Sequence, residues 1–191
     1  MSTGETSEVE IGRLLLEVAR GTLVADLTGR PMSLPTASWL GQPGACFVTL
    51  HRGGELRGCI GTIQAHRPLL EDVQKNARAA AFDDPRFPPL EAAELTGLSL
   101  EVSLLSDPEP MDFRSEEDLI RQMRPGVDGL ILEHGYHRGT FLPAVWRSLP
   151  EAELFLRHLK TKAGLPEDFW SPEIVVHRYT ARSWSDSEPQ D

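Results

Sequence analysis

The segment "ACFVTLHRGGELRGCIGTI", residues 45–63, predicts a β-hairpin. Aromatic and β-branched residues stand on both sides of a short polar stretch, and such runs are typical of paired strands. The stretch between them is "RGGE", residues 52–55, where glycine supplies the positive φ that tight hairpin turns require. Residues 45–63 are therefore predicted to form two neighbouring antiparallel strands.

The second strand of this hairpin carries one of the two cysteines of the chain. Alternate residues of an extended strand share a face, so Leu56 and Ile60 are expected to face the core. Arg57, Cys59 and Gly61 are then expected on the opposite face, where the missing side chain of the glycine leaves room for a ligand. A nearby guanidinium favours the thiolate, so this pattern predicts a reactive cysteine.

A purely structural role for this cysteine stays open. Cysteine is among the most buried residue types and usually behaves as a small hydrophobe. Cys46 lies in a continuous apolar run and is expected to be part of the core. Gly58 and Gly61 allow a bulge or a tight bend, which would aim the sulfur of Cys59 into a cleft. The residues therefore indicate either inert packing or a functional thiol at position 59.

Helical and strand patterns are mixed along the rest of the chain. Hairpin signals outnumber β-helix-β units, which predicts an α+β fold with a mainly antiparallel or mixed β-sheet and flanking helices. A smaller lobe is expected over about 105–145, and residues 1–7 and 181–191 are expected to be flexible termini. The predicted elements are helices over 8–27 and 68–82, a long loop over 28–44, a strand over 98–106, a helix from Ser115, a hairpin over 129–143, a helix from about Ser148 and a strand over 173–179.

The composition excludes several classes of protein. The 191 residues include 19 Lys and Arg against 29 Asp and Glu, with a formal net charge of -10. A general nucleic-acid binder needs a basic face, so that class is excluded. No segment approaches the roughly 20 apolar residues of a membrane span, and the polar first residues show no secretory signal. Two cysteines fit reduced thiols, so a cytoplasmic protein without a membrane partner is predicted.

A second candidate segment is "DDPRFPP", residues 83–89. Asp84, Arg86 and Phe87 could bring a charged pair and an aromatic ring into a pocket, with the guanidinium holding an anion through two hydrogen bonds. Alternatively, the three prolines form a rigid helix exit. In that case Arg86 pairs with Asp83 or Asp84, or donates to backbone carbonyls.

Other titratable residues add candidates for acid–base chemistry. Glu101 lies on the polar face of its predicted strand, which is either the wet side of a sheet or the wall of a cleft. In the second case it would serve as an acid or base near Cys59, or as a partner of Arg57. His66 would act as a base if the chain folds back toward Cys59. The six histidines include no HExxH motif, so no metal and no cofactor is predicted.

Six segments in order resemble the AMMECR family, whose bacterial and archaeal members are labelled AmmeMemoRadiSam system protein A. The segments are "ACFVTLHRGGELRGCIGTI", "DDPRFPPL", "ELTGLSLEVSLLS", "GVDGLIL", "GTFLPAVW" and "KAGLPEDFW". The most specific signal is "LRGCIG" at residues 56–61 followed by "RFPP" at residues 86–89. The resemblance covers about residues 8–180 and so implies a single domain of this family.

The resemblance implies a fold and a site, but no reaction. It implies two unequal lobes, with a sheet in the larger one and a cleft lined by the two motifs. It also implies an association with a Memo-like, dioxygenase-fold protein and with a radical-SAM enzyme. The site residues that it carries over are Arg57, Cys59, Gly61, Asp84, Arg86 and Phe87.

Two functions fit these observations. In the first, the protein is an enzyme with Cys59, Arg57 and Glu101 as catalytic residues, acting on a small anionic substrate or on a modified group of a protein. The residues expected to bind that substrate are Arg86, Phe87, Gly58, Gly61 and Asp84. In the second, the same cleft recognises a ligand or the Memo-like and radical-SAM partners without covalent chemistry.

Overall fold

The structure is a computed structural model that describes residues 7–186. The helices are α1 (Glu8–Thr28), α2 (Leu69–Arg78), α3 (Glu116–Gln122) and α4 (Ala152–Lys162). The strands are β1 (Cys46–Arg52), β2 (Glu55–Gly61), β3 (Leu98–Leu105), β4 (Glu109–Pro110), β5 (Gly129–His134), β6 (His137–Phe141), β7 (Val175–Tyr179) and β8 (Ala181–Ser185). These elements confirm the predicted α+β class.

The chain divides into two compact units. Of the described residues, the first comprises 7–105 together with 182–186, and the second comprises Ser106–Ala181. This second unit runs past residue 145, to which the smaller lobe was predicted to extend, and ends at residue 181. Its strand β7 pairs with β5, which draws the later part of the chain into the same sheet. The flexibility expected for residues 1–6 and 187–191 concerns positions outside the described residues.

The first unit is built on a four-stranded sheet in the order β2-β1-β3-β8. β1 is antiparallel to both β2 and β3. One face of this sheet packs on α1 and α2 and forms a single apolar core, because every second residue of each strand points to that face. The core includes Leu15, Val18 and Leu23 of α1, Val73 and Ala77 of α2, Val48 and Leu50 of β1, and Leu100 and Val102 of β3.

The predicted hairpin is present, with an irregularity in its second strand. Leu50 pairs with Gly58 but His51 pairs with Leu56, so Arg57 is an extra residue in a β-bulge. The bulge interrupts the strict alternation of faces. As a result Leu56 is 41% exposed, and the expectation that it faces the core is wrong.

The end of α2 packs directly on the second strand of the hairpin. α2 continues from Arg78 into a π-helical turn over Ala79–Asp83, and the prolines after it end the helix as predicted. A Cβ added at Gly58 would lie 2.1 Å from the carbonyl oxygen of Ala80. The glycine therefore permits a backbone-to-backbone approach that no larger residue allows.

A buried carboxylate fixes α2 to the first strand. Asp72, which is fully buried, accepts hydrogen bonds from the backbone N–H of Cys46 at 2.9 Å, from Thr62 Oγ1 at 2.9 Å and from Asn76 Nδ2 at 3.0 Å. Arg67 Nε lies 3.4 Å from Oδ1 of the same carboxylate. Every partner of this charge is thus a strong donor, as burial of a carboxylate requires.

The last described residues belong to the sheet of the first unit. Trp184 in β8 packs on α1 at Gly12, where an added Cβ would lie 2.3 Å from the indole ring. Asp186 accepts hydrogen bonds from Arg20 Nε at 2.8 Å and from the backbone N–H of Leu100 at 2.7 Å. The expectation of a flexible end from residue 181 is therefore wrong up to residue 186, because these contacts anchor it.

The second unit has its own sheet and its own core. Its strands lie in the order β4-β7-β5-β6 and are antiparallel, and side chains of α3 and α4 complete the core. Trp146 stacks on Phe155 with 3.9 Å between the ring centroids. Lys160 is fully buried and forms an ion pair with Glu116. Within residues 7–186, no helix is long and apolar enough to cross a membrane.

Replacement of Gly58 by alanine should destabilise the first unit. The new methyl group would press on the backbone of the π-helical turn, and overpacking of this kind costs about 1–3 kcal/mol. The matched control is Gly41→Ala, because nothing lies within 4 Å of a Cβ at that position. Thermal unfolding should show a lower Tm for Gly58→Ala and a near-native Tm for the control; equal values would contradict this account.

Candidate functional site

The sulfur of Cys59 lies on the face of the first sheet that α1 and α2 do not cover. Thr49 in β1 is the cross-strand neighbour of Cys59 in β2 and of Glu101 in β3, so the three side chains form one row across three strands. Neighbouring strands are about 4.8 Å apart, so the backbones of Cys59 and Glu101 are about 10 Å apart. The register therefore puts Cys59 and Glu101 on the same face of the sheet, on either side of Thr49.

The two cysteines have different surroundings. Cys59 is half-buried, and its Sγ accepts a hydrogen bond from Thr49 Oγ1 at 3.3 Å. Cys46 is fully buried in the core, and this burial raises the pKa of its thiol. Cys46 is therefore the packing residue that the sequence predicted, and Cys59 is the more exposed of the two thiols.

The backbone of Cys59 is held by the side chains of Asp84 and Arg86. The N–H of Cys59 donates to Asp84 Oδ2 at 2.9 Å, and Arg86 Nη2 donates to the carbonyl oxygen of Cys59 at 3.3 Å. Arg86 also binds Asp84 directly, through Nε at 2.9 Å and Nη2 at 2.7 Å. Arg86 therefore both pairs with Asp84 and donates to a backbone carbonyl, as expected if the "DDPRFPP" segment has a structural role. These contacts hold the segment against the "LRGCIG" strand.

The charges of this pair stabilise each other. The side chain of Asp84 is only 2% exposed, and the hydrogen bond from Arg86 is the main cause that holds the pKa of Asp84 well below its ordinary value. The pKa of Arg86 is raised chiefly by the same hydrogen bond. The guanidinium of Arg86 is 53% exposed, so it is also open to a ligand.

Arg57 is bound to a residue that sequence reasoning missed. Its Nε and Nη2 donate to the two carboxylate oxygens of Glu94 at 2.9 Å and 3.0 Å, so the suggestion that Glu101 would pair with Arg57 is wrong. These hydrogen bonds lower the pKa of Glu94 to about 2. Glu91 and Glu94 have the three-residue spacing that is typical of a helix start, and Glu94 lies in a short 3-10 helix over Ala92–Leu95. This spacing was the signal in the sequence that could have drawn attention to Glu94.

One nitrogen of Arg57 has no hydrogen-bond partner among the described residues. This atom, Nη1, is buried, and the whole side chain is only 11% exposed. A buried donor without a partner costs about 1–3 kcal/mol. The ring of Phe87 lies beside it, with its centroid 6.0 Å from Cζ of Arg57 and 5.4 Å from Cζ of Arg86.

The two glycines of the motif serve packing rather than ligand space. A Cβ at Gly61 would lie 2.2 Å from the ring of Phe47, its cross-strand neighbour, so this ring already fills the gap. The space at Gly58 is filled by the carbonyl group of Ala80. The expectation that either missing side chain leaves room for a ligand is therefore wrong.

The remaining candidates lie elsewhere or have other partners. His66, considered as a base, contacts the carbonyl oxygen of Gln64 at 2.8 Å and Arg67 Nε at 3.1 Å. Between residues 7 and 186 there is no group of three or more His, Cys, Asp or Glu that could hold a metal ion. The site is thus a thiol with a hydroxyl, a carboxylate and two ion-paired guanidiniums around it.

Comparison with known proteins places this chain in a family. A family model described as AMMECR1 matches residues 16–184. A protein of Methanothermobacter thermautotrophicus is 41% identical over 182 residues, covering 90% of this chain and 92% of the relative. A protein of Methanocaldococcus jannaschii is 35% identical over 191 residues, covering 95% and 93%.

A solved structure agrees with the fold. The crystal structure of the uncharacterized protein PH0010 from Pyrococcus horikoshii superposes with a TM-score of 0.81 at 37% sequence identity. The match covers 94% of this chain and 93% of the other. The resemblance seen in the sequence is therefore confirmed over nearly the whole chain, which belongs to the AMMECR1 family.

Proposed function

We propose that this protein is a cytoplasmic enzyme in which Cys59 attacks a small substrate or a modified group carried by a protein. The observation that carries the proposal is the row of three side chains on the sheet face opposite α1 and α2. In that row Thr49 donates a hydrogen bond to the sulfur of Cys59. Glu101 supplies a carboxylate on the far side of the threonine.

The side chains of this row could supply a nucleophile, Cys59, and a proton acceptor, Glu101, for a group-transfer reaction. The Cys59 thiol gives its proton to the carboxylate of Glu101 through bridging water, because the two side chains lie on either side of Thr49, and Sγ forms a bond to an electrophilic carbon of the substrate. The leaving group departs with its bonding electrons and takes up that proton, so no electron donor or acceptor is needed.

The two arginines near Cys59 indicate which charge the substrate carries. Arg57 and Arg86 are both ion-paired: Arg57 with Glu94, a carboxylate that also binds Arg52, and Arg86 with Asp84. Arg86 is the more exposed of the two, so it is the cation proposed to contact an anionic group of the substrate. The half-buried ring of Phe87 beside it supplies an apolar contact.

A binding role without covalent chemistry is the second candidate. The hydrogen bonds of Asp84 and Arg86 to the backbone of Cys59 make a rigid platform, which suits recognition of a partner as well as catalysis. In this version the platform binds the Memo-like or radical-SAM partners implied by the sequence resemblance. Cys59→Ser would then retain partner binding and cellular function, whereas in an enzyme the same variant would lose activity.

Cys59 should react with iodoacetamide far faster than Cys46 in the folded protein at neutral pH. Replacement of Thr49 by the isosteric valine removes a hydrogen bond to the sulfur and should slow the reaction about threefold to tenfold. Peptide mass spectrometry of each cysteine at timed intervals gives both rates. Ser103→Ala is the control, because Ser103 lies on β3 and bonds Ser183.

Two outcomes of that experiment would count against the enzyme. If Cys59 reacts no faster than Cys46, the thiol is not available for chemistry. If Thr49→Val and Ser103→Ala change the rate of Cys59 equally, the row does not assist the sulfur. Either result leaves the binding role as the better explanation.

The ion pair of Arg57 and Glu94 should make stability depend on pH below neutrality. A carboxyl group whose pKa falls from 4.5 to about 2 on folding stabilises the protein above pH 4.5, and this stabilisation is lost as the pH falls toward 2. Denaturant unfolding between about pH 5 and pH 3 should show a loss on the order of 1 kcal/mol that Glu94→Gln lacks. Arg57→Gln should remove the same loss, and a full loss in Glu94→Gln would contradict the pairing.

A further inference from the structure

A histidine that the proposed reaction does not use lies on the same sheet face as Cys59. His51 follows Thr49 by two positions in β1, and alternate residues of a strand share a face. The cross-strand neighbours of His51 are Leu56 in β2 and Ser99 in β3. The row of side chains that contains His51 is therefore adjacent to the row that contains Cys59 and Thr49.

His51 is a diagonal neighbour of both Cys59 and Glu101. Its strand β1 lies between β2 and β3, and Thr49 pairs with Cys59 on one side and with Glu101 on the other. The bulge at Arg57 leaves the pairing of Thr49 with Cys59 intact. Diagonal partners across antiparallel strands are about 7–8 Å apart, which is within reach of an aromatic side chain. An imidazole at position 51 can therefore exchange a proton with the thiol and with the carboxylate, directly or through one water.

The ring of His51 is available for such an exchange. Among residues 7–186 it has no side-chain hydrogen bond and no ion pair. His51 is half-buried, as is Cys59, so water reaches both residues. The nearest cations along β1 and β2, Arg52 and Arg57, are both ion-paired with Glu94. The titratable groups nearest to the ring on this face are therefore the thiol and the carboxylate of the adjacent row.

We propose that His51 accepts the proton of Cys59 and that Glu101, on the other side of β1, stabilises the imidazolium that forms. This inference rests on the proposed enzyme and deepens it, because the imidazole and the carboxylate together, rather than Glu101 alone, take up the proton. The Sγ–H bond breaks, its electron pair stays on the sulfur, and the proton moves to a ring nitrogen of His51. When the leaving group departs with its bonding electrons, His51 returns this proton to it.

An imidazole suits this role because its charge changes near neutral pH. A neutral ring can accept a proton there, and the positive charge that it then carries favours a thiolate beside it. The negative charge of the Glu101 carboxylate favours the protonated ring in turn. The three groups therefore stabilise the charged forms that the attack on the substrate requires.

The rate at which iodoacetamide alkylates Cys59 in the full chain, measured at two pH values, tests the role of His51. His51→Gln and His51→Asn remove the titrating ring, so each should slow alkylation about threefold or more at about pH 7, where less of the thiol is ionised. At about pH 9.5 an ordinary thiol ionises without a neighbouring base, so the variants should react at the native rate. A change in access to the sulfur would instead alter both rates by the same factor.

His66→Gln is the matched control, because His66 contacts Gln64 and Arg67 and should leave both rates unchanged. The inference is overturned if the His51 variants keep the native rate at about pH 7, or if their rates fall by the same factor at both pH values. Either result leaves the proposed enzyme with Glu101 as its acceptor, provided that Cys59 reacts faster than Cys46. If Cys59 reacts no faster than Cys46 in the native protein, the proposed enzyme fails and this inference fails with it.

Discussion

The candidate site depends on one interaction, the capture of the Cys59 backbone at the free edge of β2 by the side chains of Asp84 and Arg86. An edge strand presents N–H and C=O groups that need partners. Here a carboxylate accepts from the N–H and a guanidinium donates to the carbonyl oxygen, as a neighbouring strand would otherwise do. Because both side chains belong to one short loop, the same contacts fix the position of Phe87.

The other features of the site follow from this closed edge. The π-helical turn that leads into the loop passes over Gly58 so closely that only glycine is accommodated. The bulge at Arg57 breaks the strand alternation next to that glycine, and Glu94 then engages the guanidinium. The sulfur of Cys59 remains on the uncovered face, in a row whose other members are a hydroxyl and a carboxylate. A half-buried thiol on a backbone held by side-chain hydrogen bonds suits covalent chemistry and specific recognition equally.

The accuracy of the sequence predictions varied with the range of the interactions involved. The hairpin turn at Gly53 and Gly54 has positive φ at both residues, and the prolines of residues 83–89 end the second helix as expected. Both depend on residues a few positions apart. The orientation of Leu56 was predicted wrongly, because a bulge depends on what packs against the strand. The partner of Arg57 was also missed, because Glu94 is 37 positions away in the chain and only folding brings the two residues together.

The sequence alone determined the family, the α+β class, most element boundaries and which of the two cysteines, Cys59, is the candidate functional residue. Those properties follow from turn residues, apolar periodicity and motif order, which are local or can be read along the chain. Only the tertiary structure decided which carboxylates neutralise the arginines, what fills the space beside the glycines, and that the chain after residue 180 joins the first sheet. The physical reason is that such pairings depend on loop closure and on packing between distant segments, neither of which leaves a periodic pattern in the sequence.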